Sequence, residues 1–251
     1  MPFASWHELY ESDLQELFAL GVAPLAYLAA RLFLGPPRDP ADPAGARFVS
    51  AFTLLFAAQT LLDPWVTGPG ARALGSPAAA TGLSLLFILL GDFRVYWLVF
   101  ALASAPGTLA PGAAWRAALW TPAVPLFAFA SNRALGALAG PLPAQVLYVL
   151  HETAFAAVAL FLATRVVPAR VPPGARRDFL RQVLAYVGVY YALWAAADAW
   201  ILAGRDEGWA LRVIPNQLYY ACFVPFVDAR FRAAARASRN ASTSTSAQAA
   251  R

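Results

Sequence analysis

The stretch Leu83-Ser84-Leu85-Leu86-Phe87-Ile88-Leu89-Leu90-Gly91-Asp92-Phe93-Arg94-Val95-Tyr96-Trp97-Leu98-Val99-Phe100 is apolar enough to cross a bilayer, yet it carries an acid and a base near its middle. In hydrocarbon every backbone N–H and C=O must be bonded within its own segment, so a run of this length is a helix. A full charge at the bilayer centre costs about 2.5–3.5 kcal/mol on insertion scales, so two of them require partners on other helices. The stretch therefore predicts a helical bundle in a membrane.

The composition around it agrees. Apolar residues make up 60% of the 251 residues and charged ones 13%, against about 45–50% and about 25% in an ordinary soluble domain. Seven apolar segments, at 14–34, 48–66, 78–103, 113–134, 142–165, 179–203 and 209–229, are each bounded by Pro, Gly or Arg. The expected fold is all-α, a polytopic bundle of seven transmembrane helices spanning 14–229. A short acidic segment, 1–13, precedes it, and a basic, then Ser/Thr/Ala-rich tail, 230–251, follows and is expected to be disordered. Trp65, Trp115, Trp120, Trp200 and Trp209 fall near segment ends, where amphipathic rings anchor helices at the interface.

All 19 basic residues are arginine, which together with abundant Ala, Gly and Pro reads as the codon bias of a high-GC bacterial genome. Fourteen of them fall in the first, third and fifth loops, with their flanks, and in the tail; four fall on the opposite side, and Arg94 is inside a span. This bias places the N-terminus outside and the C-terminus in the cytoplasm, in the cytoplasmic (inner) membrane. The sequence pI near 9.7 thus follows from membrane-flanking loops, and a nucleic-acid partner is not expected. The N-terminal region lacks a basic start and carries Glu8, Glu11, Asp13 and Glu16, so the first helix is expected to stay as an anchor rather than be cleaved. Cys222 is the only cysteine, which excludes an intrachain disulfide; it is expected to be a small buried residue.

The polar residues inside these segments define a candidate site. Asp92 and Arg94 lie about 200° apart around a helix, so either they face different neighbours or Gly91 distorts the helix to unite them. Gln59 and Asp63 share a face of the second segment. His151 and Glu152 lie within the fifth and point about 100° apart. Asp198 sits in the sixth, and Pro215-Asn216-Gln217 opens the seventh, followed by Tyr219 and Tyr220. The proline frees backbone carbonyls and permits an irregular start where a helix lines a cavity. By depth these groups fall in the outer half of the membrane, with Asp92 and Arg94 as the floor of a shared polar cavity.

Two contrasting uses of these groups are open: chemistry, or a structural network in which Arg94 pairs with Glu152 or Asp198. Interhelical polar contacts in membranes average only about 0.6 kcal/mol, so stability alone is a weak reason to bury ionisable groups. The first reading is a membrane-embedded enzyme acting on a lipid or isoprenoid by proton transfer. In it Asp92 and Glu152 are acid and base, Arg94 an electrostatic stabiliser and His151 a relay, while Asp63, Asp198, Asn216, Gln217, Tyr190 and Tyr219 contact the substrate. The alternatives are a proton-coupled small-molecule transporter, disfavoured by the lack of an internal repeat, and a receptor-like or structural membrane protein. The expected partners are membrane lipids and a hydrophobic or amphipathic small molecule. No cofactor is called for. No metal is expected either, because one His within the spans leaves too few zinc ligands. The chain also lacks a phosphate loop, a paired-His helix, a nucleophile elbow and any lysine for a retinal Schiff base.

Overall fold

The computed structural model describes residues 3–249, except the side chains of residues 16 and 240–249, and every regular element among the described residues is helical. After α1 (Trp6–Tyr10) a π-helical turn at Leu14–Ala19 leads into α2 (Val22–Leu34). There follow α3 (Pro43–Trp65), α4 (Pro77–Leu102), α5 (Ala113–Trp120), α6 (Ala123–Ala139), α7 (Ala144–Phe161), α8 (Ala175–Leu202), α9 (Glu207–Asn216) and α10 (Phe223–Ala249).

Five helical stretches are long and apolar enough to cross a membrane: Leu17–Leu34, Pro43–Ala73, Pro77–Leu102, Ala144–Arg170 and Ala175–Leu202. The chain is a helical protein of membrane type. Its surface agrees, since Leu32, Phe33, Leu126, Phe127, Phe129 and Leu138 are exposed, as lipid-facing side chains are. Trp65, Trp115, Trp120 and Trp200 are exposed as well. The other two expected segments take a broken form. The one at 113–134 divides into α5 and α6 at Thr121–Pro122, where the proline has no N–H to continue the ladder. The one at 209–229 divides into α9, a π-helical stretch at Gln217–Cys222 and α10.

Proline explains most of the π-helical turns. Val66–Gly70 follows Pro64 and contains Pro69, Leu162–Val166 precedes Pro168, and Gln217–Cys222 lies between Pro215 and Pro225. A proline leaves the carbonyl one turn back without its donor, and the helix adapts by widening its register. Two carbonyls of Gln217–Cys222 accept from other helices: Tyr186 Oη donates to the Leu218 carbonyl at 2.8 Å and Arg94 Nη2 to the Tyr219 carbonyl at 2.8 Å.

α8 is the central helix, packed against α7, α9 and α10. Val187, Tyr190, Phe155, Leu98, Phe52 and Phe223 meet in the core around it. At one end of the bundle a buried ion pair ties three loops together. Arg176 Nε and Nη2 bind Asp42 Oδ2 and Oδ1 at 2.8 and 2.5 Å, and Arg176 Nη1 donates to the carbonyls of Ser104, Ala105 and Thr108. Asp42 in turn accepts from the backbone N–H of Gly45 and of Gly107, both at 2.9 Å, so it caps α3 and anchors the turn after α4.

One local expectation is corrected. Cys222 is exposed, not buried, because Ala221 and Phe223 take the inward directions and the residue between them points about 100° away from each. α10 continues past Arg230 to Ala249, with Phe231 and Ala235 buried and Arg232 bonded to Asp228 and to the Gly35 carbonyl. The apolar residues at this start of the tail have a surface to pack on, which composition alone does not reveal. Residues 250 and 251 lie outside the described residues.

Gly91 has a specific role. α4 runs through it without a break, and a Cβ built there would overlap the Tyr219 hydroxyl. Glycine is present so that Tyr219 can lie against α4, and the helix distortion that would unite Asp92 with Arg94 does not occur. Gly91→Ala is expected to destabilise the protein by about 1–3 kcal/mol, as overpacking does. A thermal melt in detergent measures this, and adding Tyr219→Phe should recover only part of the loss, because the ring Cζ would still lie 2.6 Å from the new Cβ; an unchanged midpoint in the single variant would refute the contact.

Candidate functional site

A cavity of about 430 Å³ opens among α3, α4, α7, α8, α9 and the π-helical stretch after α9, with Tyr10 of α1 at its edge. Asp92 lies in its wall with 1% of its surface exposed. Its Oδ1 accepts from the Tyr191 hydroxyl at 2.5 Å and its Oδ2 lies 3.2 Å from His151 Nε2. The local helix geometry dictates this arrangement: Asp92 leaves α4 on the side facing α7 and α8, while Arg94, about 200° around, leaves it on the opposite side. Tyr191 Oη has one hydrogen and gives it to Oδ1. A carboxylate can only accept, so toward that form of Asp92 the Nε2 of His151 is the donor.

Glu152, one residue on, is directed to a second cluster. Arg212 Nη1 binds Asp198 Oδ1 at 2.6 Å, and the Glu152 carboxyl faces both of them. The guanidinium carbon of Arg212 lies 5.3 Å from the Tyr10 ring, 5.4 Å from Tyr148 and 5.7 Å from Trp209, within cation–π range. The Glu152 carboxyl lies against that of Asp198 and the Tyr10 hydroxyl lies against Arg212, so two carboxyls, one guanidinium and one phenol form a single, largely buried network. Glu152 and Arg212 of this network line the cavity, which gives its wall both an acid and a cation. Asn216 joins the cluster to the N-terminal segment, accepting from Trp194 Nε1 at 2.9 Å and donating to the Tyr10 hydroxyl at 3.1 Å. Burial raises the Tyr10 phenol above its ordinary pKa, which keeps it a neutral hydroxyl beside Arg212.

Of the residues singled out in the sequence, Asp63, Asp92, His151, Glu152, Asn216 and Tyr219 line this cavity. Asp63 is buried there with Gln59 Nε2 and Thr67 Oγ1 each 3.4 Å from its carboxylate. Asp198 is fully buried behind Arg212. Tyr190 is fully buried in the core, and Gln217 lies outside the cavity wall. Arg94 is not in the wall either. It sits behind Tyr219, with its guanidinium carbon 4.1 Å from the Tyr219 ring and 4.3 Å from Phe223. Among the described residues no carboxylate is within ion-pair distance of it. The expected pairing of Arg94 with Glu152 or Asp198 is therefore replaced by rings and by the Tyr219 carbonyl.

The sequence reading missed Arg212, counted as a loop arginine, and did not give Tyr191 a partner. The signal for Arg212 was its place inside the apolar segment 209–229, three residues before Pro215. For Tyr191 there was none, because Asp92 and Tyr191 lie on helices far apart in the chain. Comparison with protein-family models, curated proteins and solved structures finds no match to this chain. The site's chemistry rests on its own geometry.

Proposed function

We propose that this protein is a multi-pass membrane enzyme that acts on a lipid or isoprenoid by acid/base proton transfer. The observation that carries the reading is the Asp92 carboxylate holding both Tyr191 and His151 at the wall of the cavity. Held through Nε2, His151 offers Nδ1 as the base, and Asp92 orients the ring and stabilises the imidazolium that forms, as a carboxylate does in a catalytic triad. Glu152 acts from the neighbouring cluster as the second acid/base group, and Arg212 is placed to hold an anionic or developing negative group. Arg94 has a supporting role, fixing Tyr219 and the π-helical stretch. The cavity's other wall supports an apolar substrate: Leu20, Phe87 and Ile88 line it, and Ile88 is continuous with the exposed Leu85 and Leu86, which suits access from the lipid side.

The lipid profile of cells making the wild type, Asp92→Asn or Glu152→Gln, read by mass spectrometry, tests this reading. A lipid that appears or vanishes with the wild type alone supports the enzyme. Unchanged lipids from correctly folded protein overturn it and leave the proton-coupled transporter and the receptor-like or structural protein. The proposal includes seven crossings, the N-terminus outside and the C-terminus in the cytoplasmic compartment of a bacterial cell. A reporter fused after Arg251 should therefore read cytoplasmic, and a periplasmic signal would reverse the topology.

A further inference from the structure

A second concave site lies at the other end of α2, away from the cavity just described. It has a volume of about 410 Å³ and is lined by Arg38, Arg232, Arg236 and Arg239 with the Phe33–Pro36 turn. Arg232, Arg236 and Arg239 follow one face of α10 at i, i+4 and i+7 spacing, and Arg38 approaches from the loop after α2. The pocket is built rather than accidental. Arg232 is fixed by Asp228 at 2.9 Å and by the Gly35 carbonyl at 2.7 Å, and Arg239 Nη1 reaches the Arg38 carbonyl at 3.4 Å. Among the described residues no acidic side chain lines it. Four guanidiniums around one hollow, with Arg232 paired to Asp228, give it a positive potential that favours an anion, and their planar forks match phosphate oxygens.

Its surroundings select the source of that phosphate. Leu32 and Phe33, at the end of the apolar stretch Leu17–Leu34, are 83% and 89% exposed beside the pocket. Acyl chains can lie along them while a headgroup occupies the arginines, an arrangement that a free anion in solution would not use. We propose that this pocket binds the phosphate of an anionic membrane phospholipid. It goes beyond the proton-transfer reading and does not depend on it.

The test uses the purified full chain in micelles doped with phosphatidylglycerol or phosphatidylcholine, with retained lipid read by native mass spectrometry. Phosphatidylglycerol should be retained in preference to phosphatidylcholine. The double variant Arg38→Gln/Arg236→Gln should weaken its retention by about fivefold per arginine, with the melting curve unchanged. Arg38 and Arg236 are both exposed, and the bonds that fix Arg232 stay in place. Equal retention of the two lipids by the wild type, or a variant that holds phosphatidylglycerol as well as the wild type does, would overturn the proposal. So would displacement of the lipid by millimolar inorganic phosphate, which would mark a free-anion site.

Discussion

Under the proposed acid/base reading, Asp92→Asn is expected to lower formation of the lipid product by about 10²–10⁴-fold while leaving the melting midpoint close to that of the wild type. Asparagine keeps the size and shape of the side chain, so the packing around α4 survives. It replaces one acceptor oxygen with a donor, however, and both neighbours are donors toward this group: the Tyr191 hydroxyl at 2.5 Å and His151 Nε2 at 3.2 Å. Whichever way the amide turns, its NH₂ faces one of them. If it faces His151, the ring must present a lone pair from Nε2 and move its proton to Nδ1, and the base is lost. Tyr191→Phe removes one hydrogen bond to a charged group, about 1.5–3 kcal/mol, and should cost about 10- to 100-fold. Equal activity of Asp92→Asn and wild type at matched protein levels would remove Asp92 from the reaction.

The largest loss of stability is expected at Arg176, far from the cavity. Arg176→Met leaves the Asp42 carboxylate buried without its cation and releases the carbonyls of Ser104, Ala105 and Thr108. Breaking a buried pair from one side costs about 3–5 kcal/mol, which for a chain of this size is a fall of about 6–20 °C in Tm. The double variant Asp42→Leu/Arg176→Met should recover much of that, because no charge is left unpaired. Recovery will be incomplete, since Asp42 also accepts from the Gly45 and Gly107 amides, each worth about 1 kcal/mol. Thermal melts in one detergent measure all three proteins. A single variant within about 1 kcal/mol of the wild type would show that the clasp does not hold the loops.

Arg176 also shows how far a charge count can be read. It entered the orientation argument as one loop arginine among many, and so did Arg31 and Arg232. In the structure Arg31 and Arg176 are buried, with Arg31 bonded to Ser50 and Arg232 to the Gly35 carbonyl. Their positions at helix ends were legible, but their partners were not, because Asp42 and Arg176 are separated by most of the chain. The same limit applied to Arg212, which sequence position assigned to a loop and which the fold turned inward onto Asp198.

What the sequence determined by itself is the solvent and the element type. Long apolar runs in hydrocarbon have one way to satisfy their backbone, so helices at 48–66, 78–103, 142–165 and 179–203 follow from composition alone, and α3, α4, α7 and α8 occupy those regions. Helical periodicity set Asp92 and Arg94 about 200° apart on an unbroken helix, but only the structure showed that Gly91 leaves the helix unbroken. The tertiary structure decided what each then meets: His151 and Tyr191 for Asp92, and the Tyr219 and Phe223 rings for Arg94. Such pairings depend on how helices rotate and cross, and that is set by the sum of many packing contacts, such as the Tyr219 hydroxyl filling the space above Gly91, and not by any residue's own preference.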